Sequence, residues 1–192
     1  MTIKRTATIR PSEPRDSASL AELVVLAIGG IANKLTGEKE ETKVLSQLES
    51  WINEVGNRFS CSCYLVCEAS DGVAGMILCY SGVDEENLNA PVLEHLRQVG
   101  NPLVMIDREA DEDEYYIDAL AVRPAHQGKG IASALIEAAE LRAAELGHPK
   151  ISLNVDFDND GARRLYERLG YEAGKRIEIN GKPFRHMVKR LR

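Results

Sequence analysis

Gly128-Lys129-Gly130 stands between an apolar run and a stretch of helical periodicity, a place where a chain can hold phosphate. Tyr115 to Val122 is rich in strand formers and breaks at Arg123-Pro124, while Ser133 to Leu146 repeats apolar residues at helical spacing. A glycine turn between a strand and a helix leaves free backbone N–H groups at the positive end of the helix dipole. That arrangement suits a phosphate or pyrophosphate. Two phosphate patterns fit poorly. A P-loop places its lysine after the second glycine and follows it with Ser or Thr. Here Lys129 lies between the glycines and Ile131 follows, so no hydroxyl is placed for magnesium. Residues 128–133 nearly meet the dinucleotide pattern G-x-G-x-x-G, with Ser133 in the third glycine's place. That turn, however, belongs after the first strand of a mainly parallel sheet, and this one lies two thirds of the way along the chain, behind hairpins.

The elements that must position this turn are readable in order. Ala7 to Arg10 is a short strand stopped by Pro11. Leu20, Leu23, Val24, Ala27 and Ile31 mark one helix that Gly37 interrupts, and Val44, Leu48, Trp51, Ile52 and Val55 mark a second that ends near Gly56-Asn57. Phe59 to Ala69 and Val73 to Tyr80 read as two strands joined at Asp71-Gly72, and Gly75 implies a bulge or a close approach. Residues 82–113 form a long acidic insert. Within it Leu88 to Val99 predicts a short helix, ended by Gly100-Asn101-Pro102. The helix after the glycine turn has Ala132, Leu135, Ile136, Ala139, Ala143 and Leu146 on its buried face. Lys150 to Val155 is a strand, and Asp158-Asn159-Asp160 caps a helix carrying Ala162, Leu165, Tyr166 and Leu169 on one face. Tyr171 to Asn180 and Phe184 to Lys189 are two last strands joined at Asn180-Gly181.

Two sequence blocks resemble the GCN5-related N-acetyltransferase (GNAT) family. Its acetyl-CoA loop runs Arg or Gln, any two residues, Gly, any residue, then Gly or Ala. Gln127, Gly130 and Ala132 fill the three fixed places. Downstream, Asn159 to Tyr171 is similar to the family's Asn-x-x-Ala-x-x-Leu-Tyr-x-x-x-Gly-Phe, with Tyr171 for Phe. The resemblance implies one α/β domain over residues 1–192, with a mixed, mostly antiparallel sheet and about four main helices. It implies a β-α-β acetyl-CoA-binding core and an inserted loop or helix between the third and fourth strands.

It also implies that the Gly128, Lys129, Gly130, Ile131 and Ala132 N–H groups hold the CoA pyrophosphate. Leu120, Ala121 and Val122 would lie against the pantetheine, with the Val122 N–H polarising the thioester carbonyl. Asn159 would reach the pantetheine arm, and Tyr166 sits at the general-acid position. Asn154 stands where some members carry a glutamate base, and an amide cannot serve. Glu114, Tyr116 and Asp118 share one strand face, so the base is expected to be Glu114 or Asp118, directly or through water. No metal is expected.

Composition narrows the alternatives. The chain has 192 residues, 44% of them hydrophobic and 28% charged, which fits one globular domain. Residues 84–118 carry eleven acids against two basic residues, whereas residues 123–192 carry fourteen Lys and Arg against nine acids. The acidic neighbourhood suggests a cationic acceptor such as a polyamine, an aminoglycoside, or a lysine or N-terminal amine. Aromatic content of 5%, without a basic stripe, argues against nucleic acid. No apolar run reaches the roughly 18 residues of a membrane span, and no signal-peptide core is evident, so a cytoplasmic location is expected, with a homodimer possible. Cys61, Cys63 and Cys67 share strand parity, and with Cys79 they read as reduced, packed thiols. A non-catalytic acyl-CoA sensor and a dinucleotide-dependent oxidoreductase stay open as other readings.

Overall fold

A computed structural model describes residues 7–100 and 105–191. Among them seven strands form one sheet in the order β1-β2-β3-β4-β5-β7-β6: β1 (Thr8–Pro11), β2 (Tyr64–Ala69), β3 (Gly72–Ser81), β4 (Glu114–Val122), β5 (Lys150–Asp156), β6 (Glu172–Ile179) and β7 (Lys182–Arg190). Every pairing is antiparallel except β4 with β5. That single parallel step is bridged by α5 (Ile131–Glu145), as a parallel pair requires. It also removes the dinucleotide reading, which needs the glycine turn inside a mainly parallel sheet.

Among the described residues six helices cover the sheet: α1 (Ser17–Ile28), α2 (Gly30–Thr36), α3 (Glu41–Asn53), α4 (Glu85–Gln98), α5 and α6 (Asp160–Arg168). The excess over four has local causes. The first expected helix breaks at Gly29, whose φ of 52° only glycine adopts cheaply, and the chain turns by 117° into α2. The insert helix starts three residues before its apolar stripe and runs for fourteen residues. Asn101-Pro102, expected to end it, lies outside the described residues. Among the described residues no single helix is long and apolar enough to cross a membrane.

The two sheet faces hold separate cores. Leu20, Leu23, Leu48, Trp51, Tyr64, Met76, Leu78 and Tyr116 lie beneath α1 to α4. Ile77, Ile117, Leu135, Ile136, Ile151, Leu153 and Met187 lie beneath α5 and α6. The glycine-turn helix buries Ile131 instead of Ala132, and Leu146 is exposed beyond its last turn. Val55 likewise lies past the end of α3 and faces solvent.

The expected strand from Phe59 begins only at Tyr64. Asn57 and Ser60 bond back to the backbone, with Asn57 N–H on Ser60 Oγ at 2.9 Å and Phe59 N–H on Asn57 Oδ1 at 2.8 Å. The chain then makes one tight helical turn at Cys61–Cys63, where the Cys63 N–H bonds the Ser60 carbonyl at 2.8 Å. Cys61 and Cys63 therefore do not share a strand face with Cys67, although all four cysteines are free thiols.

Gly75 carries both expected features. Opposite it, β2 slips register between Cys67 and Glu68, and a Cβ at Gly75 would lie 2.8 Å from the Ala121 carbonyl oxygen. Gly75→Ala is expected to cost about 1–3 kcal/mol, because the obstacle is backbone of the central strand. Denaturant unfolding would measure it, and an unchanged midpoint would mean that β4 yields freely.

Candidate active site

β4 and β5 pair only from Glu114↔Lys150 to Ile117↔Leu153. Beyond Ile117 they part, because β4 carries an extra residue: Leu78 faces Ala119 and Cys79 faces Ile117, which leaves Asp118 unpaired as a bulge. The gap opens into a cleft of about 1030 Å³ lined by α2, β4, β5, the insert and the start of α6. Successive N–H groups on a strand point to opposite edges. The Arg123 N–H bonds the Ala74 carbonyl at 2.8 Å, toward β3. By that alternation Ala121 also faces β3, and the Leu120 and Val122 N–H groups face the gap. The Gln127 side chain braces this end of β4 by donating to the Val122 carbonyl at 3.1 Å.

The glycine turn follows directly. Gly128 and Gly130 have φ of 73° and 80°, and a Cβ at either would meet nothing within 4 Å. Packing therefore does not require these glycines; the left-handed backbone does, and it keeps the helix start open. The first intrahelical bond is Ala134 N–H to Gly130 O at 3.1 Å, so the preceding N–H groups, Gly128 to Ser133, are available to an anion. Lys129 turns its ammonium back onto the Ala125 carbonyl at 2.9 Å. The residues present fit a pyrophosphate held by backbone.

Tyr166 and Asn159 line the cleft from α6. Asn159 Oδ1 caps that helix by accepting the Ala162 N–H at 3.0 Å. Tyr166 packs edge-on against Tyr171 with ring centres 5.9 Å apart, and burial pushes its hydroxyl up to about 12.

The two expected bases part company. Asp118 lines the cleft, and its Oδ2 takes two hydrogen bonds from Arg58, from Nε at 3.1 Å and Nη2 at 2.9 Å. Glu114 does not line it. The Glu114 carboxylate is 1% exposed at the far end of β4, where the strands are still paired. It accepts bonds from the Asp111 N–H at 3.0 Å and Ser152 Oγ at 2.8 Å, lies 3.1 Å from His186 Nε2, and has Lys150 Nζ at 3.5 Å. Burial alone would raise this carboxyl, but the contacts to His186, the Asp111 amide and Ser152 outweigh it and hold it at about 2. A carboxylate so saturated and so acidic is a poor proton acceptor at neutral pH. Asp111, Glu114 and His186 present three ligand atoms within 4.8 Å of one another. Two of these acids already have ammonium partners, Lys175 2.5 Å from Asp111 and Lys150 3.5 Å from Glu114.

A sequence profile of the acetyltransferase (GNAT) family matches residues 31–171. The chain belongs to this family. A curated relative, acetyltransferase SG1711 of Sodalis glossinidius (strain morsitans), is 43% identical over 63 residues, which is 33% of this chain and 44% of the relative. The match thus spans less than half of that relative's length. The fold agrees with a crystal structure described as an acetyltransferase, at TM-score 0.80 and 29% identity over 96% of this chain and 100% of the other. An N-acetyltransferase from Staphylococcus aureus Mu50 gives the same TM-score and identity over 95% of this chain and 100% of its own.

The structure adds Arg58, Glu109 and His186, which the sequence does not single out, and joins them to Tyr116 and Asn154. Arg58, 3% exposed, joins Asp118 to Glu109 of the insert, whose Oε1 lies 3.1 Å from Arg58 Nη2. Tyr116 donates its hydroxyl to Glu109 Oε2 at 2.7 Å, and Asn154 Nδ2 donates to the Glu109 carbonyl and to Tyr116 Oη. His186 closes the chain, with Nδ1 2.8 Å from Asn154 Oδ1. Of the eleven acids in residues 84–118, Asp107, Glu109 and Asp118 line the cleft, and Arg58 is bound to two of them. A second cleft, about 1280 Å³ between α5 and β7, holds none of the expected site residues.

Proposed function

We propose that the protein is an acetyl-CoA-dependent N-acetyltransferase that acylates a primary amine, on a small molecule or peptide, by direct attack. One observation supports this above others. The gap between β4 and β5 leaves the Leu120 and Val122 N–H groups without a strand partner, Tyr166 lines the same cleft as Leu120, and β4 runs on through the glycine turn into the open helix start at Gly128–Ile131. Acetyl-CoA brings an activated acyl group in its thioester. The chain's residues do the rest. The backbone of residues 128–132 holds pyrophosphate, the gap-facing N–H groups meet developing oxyanion charge, and Tyr166 supplies a proton to the departing sulfur.

The acceptor enters from the α2 and insert side, past Asp107, Glu109 and Asp118. Its ammonium form is expected to be drawn in by these acids. Thermal-shift measurements are expected to show stabilisation by acetyl-CoA and none by NAD or ATP. Thiol release across amines, peptides and aminoglycosides then identifies the acceptor. Stabilisation by acetyl-CoA with no release on any amine would favour a sensor.

A further inference from the structure

We propose that Glu109, carried on the insert, is the general base that deprotonates the acceptor amine; this rests on the acetyltransferase reading above. Four segments hold this one loop residue. From α4, Glu85 accepts the Glu109 N–H at 2.8 Å and the Ala110 N–H at 3.2 Å. From β5, Asn154 donates to the Glu109 carbonyl at 2.9 Å. Arg58, after α3, reaches Oε1, and Tyr116 of β4 reaches Oε2. A loop side chain so tightly anchored is preorganised, and Glu109 is among the residues lining the cleft that the acceptor must enter.

The two neighbouring acids are differently engaged. Four groups surround the Glu114 carboxylate, and it lies outside the cleft. Asp118 gives one oxygen to two Arg58 donors. Each Glu109 oxygen takes one described bond, so each keeps a lone pair for a proton. Burial, with Asp118 adding to it, pushes the Glu109 carboxyl above its ordinary value against the opposing pull of Arg58 and Tyr116. That direction improves a base working near pH 7. The charged or titratable groups facing it are Arg58, Asp118, Tyr116, Tyr80 and Glu85.

The step balances. Glu109 takes one proton from the ammonium, and the freed lone pair forms the C–N bond. The C–S bond breaks, the sulfur takes a proton from Tyr166, the second amine proton restores the Tyr166 phenolate through solvent, and Glu109 releases the first to solvent. The sum is R-NH3⁺ plus thioester giving amide, free thiol and H⁺.

The test is Glu109→Gln, assayed by thiol release from pH 6.5 to 9.5 with an amine that turns over. At pH 7 kcat is expected to fall at least 30-fold, with KM for acetyl-CoA within threefold. The deficit is expected to shrink below fivefold by pH 9.5, as the amine loses its proton to water unaided. A variant within threefold of wild type at pH 7, or a deficit equal at every pH, overturns the proposal, since a structural role would not track amine ionisation. An infrared titration of the ligand-free protein gives a readout apart from activity. It is expected to show a carboxyl C=O band that titrates above the ordinary range and is absent from the variant; no such band counts against Glu109. A wild-type protein that releases no thiol with any amine overturns the acetyltransferase reading itself.

Discussion

Tyr166→Phe is expected to lower turnover at least tenfold while leaving acetyl-CoA affinity within threefold. The ring survives the change, so the edge-on contact with Tyr171 and the packing of α6 on β5 and β7 remain. Only the hydroxyl is lost. Burial pushes that hydroxyl up to about 12, whereas a free thiol lies near 8.5. With both values fixed, donation to the departing sulfur would be uphill by about 5 kcal/mol. The sulfur leaves into the same dry cleft, though, where desolvation raises the thiolate's own proton affinity. The mismatch therefore narrows as the C–S bond breaks. General acids contribute about 10²–10⁴-fold, and tenfold is the floor expected when water can partly substitute. Donors with a more acidic leaving thiol need less help and should shrink the defect. Steady-state thiol release gives kcat and calorimetry gives the affinity; unchanged turnover would remove Tyr166 from the mechanism.

What the sequence made legible is what short-range chemistry decides. Asn180-Gly181 predicts a tight hairpin, and both residues have positive φ, 52° and 75°. Asn159 caps α6 as its residue type suggests, and the glycine turn opens α5. The remainder depends on partners far apart in the chain. Arg58 meets Glu109 and Asp118 across 51 and 60 positions, and no local pattern announces either contact. The bulge at Asp118 is equally silent, yet it moves Ala119 and Ala121 to the face that Tyr116 occupies and so upsets strict alternation along β4. Glu109 reads in the sequence as one acid among eleven. Only the folded insert distinguishes it, closed at its base where Gly82 meets the Asp111 carbonyl too tightly to admit a Cβ.

Glu114→Gln is expected to destabilise the protein by roughly 3 kcal/mol at pH 7, the equivalent of moving a carboxyl from its ordinary 4.5 to about 2. The side chain is buried, so solvent does little to screen its contacts. The sign follows from the direction of the shift. A value lowered on folding contributes stability that is complete above about pH 4.5 and is lost as pH falls toward about 2. The wild-type melting temperature is therefore expected to drop across that window more steeply than the variant's. At pH 7 the two should differ by roughly 6–12 °C for a chain of this size, and they should converge near pH 2–3. Glutamine preserves the shape but removes the charge that faces His186 and Lys150, the latter keeping its ion pair with Asp113 at 2.9 Å. Calorimetry from pH 7 to 3 measures this, and a gap constant across that range would locate the stabilisation elsewhere. Because Glu114 stands outside the cleft, acetyl-CoA affinity at pH 7 should stay near wild type wherever the variant is folded. A loss of turnover confined to temperatures where it unfolds would mark Glu114 as a strut beneath the site.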